Sequence, residues 1–345
     1  KFDQGKTQHL TRTPSSDGNK RTWTWSGWVK PGAGALGDAS GSALFAAYSD
    51  SNYRDVLRFG GSSTDAVDFQ HRRNGTNYGG YTDAKLRDYG GSGWYHIVLV
   101  WNDAATIYVN GEEQSLSGVS NDANNGQINN DRIHYIGARS SSGSAELGWD
   151  GQMSQIYFID GQALGPEYFG FTDPLTNTWK PKKYKHRRDL YGVTWSSALV
   201  GDASGFQSAA LAADGFDGEV GTSNNQYAQN NTGSNPSTIT FTPVGGIKFN
   251  SSIQVYLINA ANTVNVNGEG AQTIAANEWV TVKTGSGTLN TLVFSRPTTG
   301  GASFAGIRVD GHILIDAQND NSFYLPFDGN SPIGKDQSGN GNDWT

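Results

Sequence analysis

The residues best suited to chemistry cluster between Asp68 and Tyr89, where His71, Arg72, Arg73, Asn77, Tyr78, Tyr81 and Tyr89 lie in a glycine-rich setting. Phenol rings can stack on the apolar face of a sugar, while amides and guanidinium groups hydrogen-bond its hydroxyls. This segment is therefore the leading candidate for carbohydrate binding; the alternative is that its tyrosines cover sheet edges or an intersubunit contact. A second group is rich in hard oxygen donors. Asp122, Asn124, Asn129 and Asp131 carry carboxylates and amides of the kind that hold calcium, although Asn and Asp also favour turns for backbone reasons alone. Other chemistries lack their residues. The six histidines, at 9, 71, 96, 134, 186 and 312, stand in no nucleophile motif and are not paired at zinc-ligand spacing, and there is no cysteine. No catalytic residue is assigned, and calcium is the one ion to be considered.

The elements that must position these residues are strands. The 345 residues exceed one ordinary core. Glycine occurs 46 times and charged residues make up only 17%, which suits many short strands joined by turns. Aromatic residues at 12% supply enough burial to exclude a disordered chain. A net charge of −7 argues against nucleic acid as a partner, and no apolar run is long enough to insert in a membrane. The chain opens Lys1-Phe2-Asp3 without an initiator Met and closes in a turn-rich stretch, so it reads as part of a longer polypeptide.

Alternation at Trp23 and Trp25 puts both rings on one strand face, and with Trp94 they are expected in the core. Residues 94–101 form an apolar run typical of a central strand, with His96 a satisfied residue of that sheet. Asn74-Gly75, Asn110-Gly111, Asn267-Gly268 and Asp310-Gly311 mark tight turns, and residues 238–242, 253–257 and 263–266 alternate cleanly. The expected organisation is a β-sandwich over 1–178, a basic linker over 179–189 and a second sandwich over 190–317. Residues 318–345 either pair with a neighbouring sheet or open a further module as a C-terminal extension. Six of residues 180–188 are Lys or Arg, which reads as a solvated linker before it reads as a polyanion contact.

Residues 94–98 (Trp-Tyr-His-Ile-Val), 107–111 (Ile-Tyr-Val-Asn-Gly) and 149–164, in this order and spacing, resemble the laminin-G-like, or concanavalin A-like, jelly-roll superfamily over nearly all of residues 1–175. The tail from Phe323 to Trp344 is similar to the opening strand and loop of the same family. Residues 10–14, 21–30, 158–164, 179–184 and 336–344 resemble, more narrowly, the tandem jelly-roll virion proteins of marine tailed phages. The second module is similar to discoidin-like, galactose-binding-like sandwiches at residues 212–218 and 239–241. The fold class expected is therefore all-β, tandem antiparallel β-sandwiches, a jelly roll followed by a discoidin-like sandwich.

These resemblances imply a non-enzymatic, lectin-like structural or adhesive part of a tailed-phage particle, extracellular or in the virion, serving as tail fibre, appendage or capsid decoration. They imply contacts with other virion proteins, self-association into an oligomer such as a trimer, and a host-surface glycan as ligand. A secreted or cell-surface bacterial carbohydrate-binding protein is the alternative, and a polysaccharide depolymerase ranks third. Glucan-cleaving relatives carry a Glu-x-Asp-x-x-Glu strand that points paired carboxylates into one cleft. Here the nearest approach is Glu146 and Asp150, with Gly148 between them and no third carboxylate.

Overall fold

The computed structural model describes all residues except 4, 6–7, 36–39, 87–92, 121–125, 142–143, 224, 232–235, 259–261 and 317–319. The chain divides into two units, Lys1–His186 with Asn319–Thr345, and Arg187–Gln318. Both are built from antiparallel strands.

In the first unit the strands are β1 (Leu10–Arg12), β2 (Thr22–Pro31), β3 (Ser42–Asp50), β4 (Tyr53–Phe59), β5 (Val67–Arg73), β6 (Thr76–Thr82), β7 (Tyr95–Asn102) and β8 (Ala105–Val109). They continue with β9 (Glu112–Glu113), β10 (Leu116–Ser120), β11 (Ile133–Ile136), β12 (Arg139–Ser141), β13 (Ser144–Glu146), β14 (Gly151–Asp160), β15 (Gly170–Asp173) and β16 (Thr178–Pro181). Among the described residues, a seven-stranded sheet runs β1-β11-β3-β4-β5-β6-β10. A six-stranded sheet runs from the strand Phe323–Leu325 through β14-β2-β7-β8-β9. Period-two alternation sends one face of each sheet into a shared core. Trp23 and Trp25 of β2, Leu57 and Phe59 of β4, Phe69 of β5 and Leu99 and Trp101 of β7 meet there. Trp94, expected in this core, precedes β7 and is 38% exposed, because its position falls just outside the paired strand.

His96 of β7 is fully buried on the opposite face of its sheet. Its Nδ1 accepts from Trp179 Nε1 at 2.9 Å, so its Nε2–H faces Ser26 Oγ at 2.9 Å. Burial pushes His96 down to about 3, while an unfolded imidazole titrates near 6.5. The unfolded chain therefore takes up the proton first, and this group's contribution to stability is lost as pH falls below about 6.5. Replacing Trp179 with Phe removes the donor to Nδ1. The expected cost is about 1 kcal/mol, read from the urea midpoint at pH 7; an unchanged midpoint would show that the bond contributes nothing.

Trp179 also corrects the expected linker. Residues 179–189 are not one solvated connector: Thr178–Pro181 is paired with Gly170–Asp173, Lys180 binds Asp173, and Tyr184 is buried beside Phe169 at 5.3 Å. The first unit thus extends to His186. The C-terminal segment pairs with a neighbouring sheet, that of the first unit. Phe323–Leu325 pairs with β14, and Thr345 exchanges backbone hydrogen bonds with Thr11 of β1. Phe323, Leu325 and Trp344 fill the core of the first unit.

The second unit stacks two sheets on one core. The five-stranded sheet runs Leu199–Gly201, Ser237–Phe241, Leu292–Arg296, Thr263–Val266, Ala271–Thr273. The four-stranded sheet runs Trp279–Thr284, Ser252–Tyr256, Gly306–Val309, His312–Ile313. Ile239, Phe241, Val264 and Phe294 from the first meet Ile253, Val255, Ile307 and Val309 from the second. Asn267-Gly268 and Asp310-Gly311 adopt the paired positive φ of a type I′ turn, at 52° and 76° and at 52° and 84°.

Candidate functional site

The candidate residues between Asp68 and Tyr89 do not form one surface. In β5, Val67 and Phe69 point into the core, so His71 points inward and Asp68, Gln70 and Arg72 point outward. His71 is 2% exposed, with Nδ1 at 2.7 Å from Asp55 Oδ1 and its ring at 5.5 Å from Trp101. Tyr78 sits opposite it and shares the inner face, 6.1 Å away. His71 is corrected from a ligand candidate to a buried residue beside Asp55 and Trp101, and Tyr78, half-buried, faces away from Arg72, Asn77 and Tyr81. Arg73 ends β5 at the Asn74-Gly75 turn. Tyr89 lies outside the described residues.

Arg72, Asn77 and Tyr81 remain together on the outer face. The register lines up three rows across the sheet. One row reads Ile133, Tyr48, Arg54, Arg72, Asn77. The middle row reads Tyr135, Ala46, Val56, Gln70, Gly79, and the third reads Ala43, Arg58, Asp68, Tyr81, Ser117. Ala46, Val56 and Tyr135 of the middle row, with Ala43 of the third, form a small apolar cluster separate from the core. Gly79 holds φ at 112°, and a Cβ there would lie 2.0 Å from the Phe69 carbonyl oxygen, so no side chain rises from that position. The middle row is covered: Ala46 and Val56 are 0% exposed, Gln70 is buried, and Leu147 packs on the apolar cluster, so Arg72, Asn77 and Tyr81 are the candidates left accessible on this face.

Sequence reasoning missed Arg54, Arg58 and Arg139. The signal was present in β4, where Arg54, Val56 and Arg58 alternate with Asp55, Leu57 and Phe59; the apolar partners fix which face the arginines take. Arg58 donates to Asp68 Oδ2 at 2.8 and 3.0 Å, and Arg139 pairs with Glu146. Arg54 and Arg72, directly opposite each other, donate to the Ser51 carbonyl at 2.9 Å and Asn77 Oδ1 at 3.0 Å. Burial lowers the Arg54 guanidinium below its ordinary value, and repulsion from Arg139, Arg72 and Arg58 adds to this, with Glu146 opposing. The Nε atoms of Arg54, Arg72 and Arg139 and Oε1 of Gln70 are buried without a hydrogen-bond partner among the described residues.

The oxygen-rich candidates are divided too. Asn129 is 1% exposed, and its amide is spent inside the fold. Nδ2 donates to the Asn19 carbonyl at 2.9 Å and Asp160 Oδ1 at 2.5 Å, and Oδ1 accepts from Asn321 at 3.0 Å. Asn129 is corrected from an ion ligand to a structural amide. Asp131 is exposed and pairs with Arg132 at 3.0 Å, and Asp122 and Asn124 lie outside the described residues. Among the described residues no three acidic or imidazole groups converge as a metal site. Glu146 and Asp150 do not share a strand face either: Glu146 binds Arg139, and Asp150 accepts from the Gly34 N–H at 2.8 Å.

No curated protein matches the chain. Among solved structures, the enzymatically active domain of bacteriophage CBA120 tailspike protein 2 is similar at 14% identity, over 46% of this chain and 25% of that one, with a TM-score of 0.33. This chain thus spans about a quarter of the tailspike domain. Domain 4 of AbnA, a GH43 extracellular arabinanase from Geobacillus stearothermophilus, in complex with arabinotriose, is similar at 18% identity. That match covers 48% of this chain and 77% of that one, with a TM-score of 0.36. The CBM40 of Ruminococcus gnavus IT-sialidase is similar at 13% identity over 47% and 95%, with a TM-score of 0.32. Residues 4–167 match the family model of the concanavalin A-like lectin/glucanases superfamily, and the two facing antiparallel sheets of the first unit have the jelly-roll fold.

Proposed function

We propose that this chain is a non-enzymatic, adhesive or structural component of a tailed-phage particle, and that its jelly-roll unit binds carbohydrate on the outer face of the seven-stranded sheet, around Arg72, Asn77 and Tyr81. The observation that carries the binding role is the placement of Arg72, Asn77 and Tyr81 on one face of β5 and β6. Tyr81 offers an aromatic ring, and Arg72 and Asn77, opposite each other, offer directional hydrogen bonds. The family model matched by residues 4–167 is one of lectins and glucanases, and this agrees with a saccharide ligand. The place in a virion rests on the sequence phrases at 10–14 and 336–344. They belong to one structural locus: Arg12 Nη2 donates to Asn342 Oδ1 at 2.5 Å, and Thr11 pairs with Thr345.

The test is a glycan array probed with the whole chain. Saturable binding that falls about two- to thirteenfold on Tyr81→Ala is expected, the range an aromatic–sugar contact of about 0.5–1.5 kcal/mol gives. Release of reducing ends from a bound glycan, or binding unchanged by substitution of Arg72, Asn77 or Tyr81, would defeat this reading.

A further inference from the structure

The basic run at residues 180–188 divides once the chain is folded. Lys180 pairs with Asp173, Arg187 pairs with Asp189 and Asp310, and Lys182 donates to the Glu167 carbonyl at 2.9 Å. Lys183 and Lys185 are exposed and pair with no carboxylate among the described residues. They flank the buried Tyr184, and all three line a cavity of about 400 Å³ on the outer face of the six-stranded sheet. Every residue that lines it belongs to the first unit. Its floor is aromatic: Tyr157 and Tyr324 stack at 4.3 Å, and Tyr184 meets Tyr157 edge-on at 6.2 Å. The Tyr324 hydroxyl donates to Gln155 Oε1 at 2.7 Å, outside the lining, which leaves ring carbon at the floor. The Lys183 ammonium stands 5.8 Å from the Tyr324 ring centre, so its charge is held at the cavity. No acidic residue lines the space; His186 does, bound to Asp320 at 2.6 Å, while Gln337 and Ser338 add an amide and a hydroxyl.

We infer that this cavity binds an acidic saccharide residue, its ring over the tyrosine floor and its carboxylate or sulfate between the Lys183 and Lys185 ammoniums. The cavity belongs to the other sheet from Arg72, Asn77 and Tyr81, so this assignment goes beyond theirs and does not depend on it. The volume lies in the range of small-molecule sites and exceeds what a bare inorganic ion needs. Gln337 and Ser338 favour a ligand with hydroxyls over an acyl chain. Two ammoniums in a chain of net charge −7 fall short of the broad basic footprint that a nucleic acid requires.

The whole chain is titrated on an array in which each carboxylated or sulfated oligosaccharide is printed beside its carboxyl-reduced or desulfated partner. The expected result is binding to the acid at least about tenfold tighter than to the neutral partner, since the ring is kept and the charge removed. Lys183→Gln/Lys185→Gln should erase that preference, and Lys183→Arg/Lys185→Arg should keep it, because the charge stays. Lys248→Gln, exposed in the second unit, should change nothing, and an unaltered thermal transition certifies that the variants fold. Bound acid should also shield Lys183 and Lys185 from an amine-reactive label read by mass spectrometry. Whether the carboxylated or the sulfated series binds identifies the anion. Equal binding of acid and neutral partner overturns the inference, as does a preference that survives Lys183→Gln/Lys185→Gln. Full labelling of both lysines in the presence of bound acid overturns it too.

Discussion

Removing residues 320–345 is expected to abolish cooperative folding of the first unit, although the segment is remote in sequence from the sheets it completes. Phe323 and Leu325 are each 1% exposed and Trp344 is 4% exposed, all in the core between the two sheets. Phe323 lies 5.8 Å from Phe158 and 6.3 Å from Phe45, and Trp344 packs edge-on to Phe323 at 4.9 Å. On the other face, Tyr324 stacks on Tyr157 at 4.3 Å. Four such side chains, at about 1.5–3 kcal/mol each, contribute about 6–12 kcal/mol, which is as large as the whole stability of a typical domain. The truncation also strips β14 of its outer neighbour and leaves an unpaired apolar edge. Near-UV circular dichroism and limited proteolysis should show the first unit molten and readily cut, while residues 187–316 keep their own transition. A truncated chain with the full-length protein's melting profile would show that the segment is an appendage. Partial rescue by a synthetic 320–345 peptide is expected, as the segment makes its contacts non-covalently.

Asp160→Ala is expected to be the most damaging single polar substitution. Asp160 is fully buried at the end of β14 and is surrounded by donors. The Asn19 N–H reaches Oδ1 at 2.9 Å, Asn129 Nδ2 reaches it at 2.5 Å, and the Asn321 N–H reaches Oδ2 at 3.1 Å. Alanine leaves these three donors buried without their acceptor, at about 1–3 kcal/mol apiece before relaxation, for a loss of about 3–5 kcal/mol by chemical denaturation. The site also joins three distant segments, since Asn321 belongs to the C-terminal return and Asn19 to the approach to β2. A loss below about 1 kcal/mol would show that water replaces the carboxylate.

The same residue sets a pH dependence of unusual sign. Burial raises Asp160 from its ordinary 3.8 to about 7, against the pull of the Asn19, Asn321 and Asn129 donors, with the nearby Asp320 adding to the rise. Between those values the native state holds a proton that the unfolded chain releases. This group's contribution to stability therefore falls as pH rises from about 4 to about 7 and is constant above. His96 and His134, pushed down to about 3 and about 4 by burial, act in the opposite direction below about 6.5. Asp160→Asn removes the first effect alone, so the difference between variant and parent stability curves isolates it. A pH-independent difference across that window would mean that Asp160 does not titrate there.

The strands and their turns were legible in the sequence because they rest on local physics. Alternation at Trp23 and Trp25 and at residues 238–242, and the positive φ required at Asn267-Gly268, depend only on neighbours along the chain. The outer-face site was half legible: Arg72, Asn77 and Tyr81 were identified, but with His71 and Tyr78, which face the other way. Proximity in sequence does not say which parity meets the core; Val67 and Phe69 decide that only once the opposite sheet covers them.

The amino-acid sequence by itself determined an acidic, cysteine-free, all-β chain of two sandwiches, because composition, period and turn chemistry act at short range. Tertiary structure alone decided three further matters. It returned residues 323–345 to the first unit, because Phe323–Leu325 pairs with the edge of β14 while Phe323, Leu325 and Trp344 are buried between the sheets. It spent Asn129 inside the fold, because its amide met Asp160 and Asn321 there. It also set Arg54 against Arg72, 18 positions apart in the chain, because the register of β4 on β5 is fixed by burying Leu57 against Phe69.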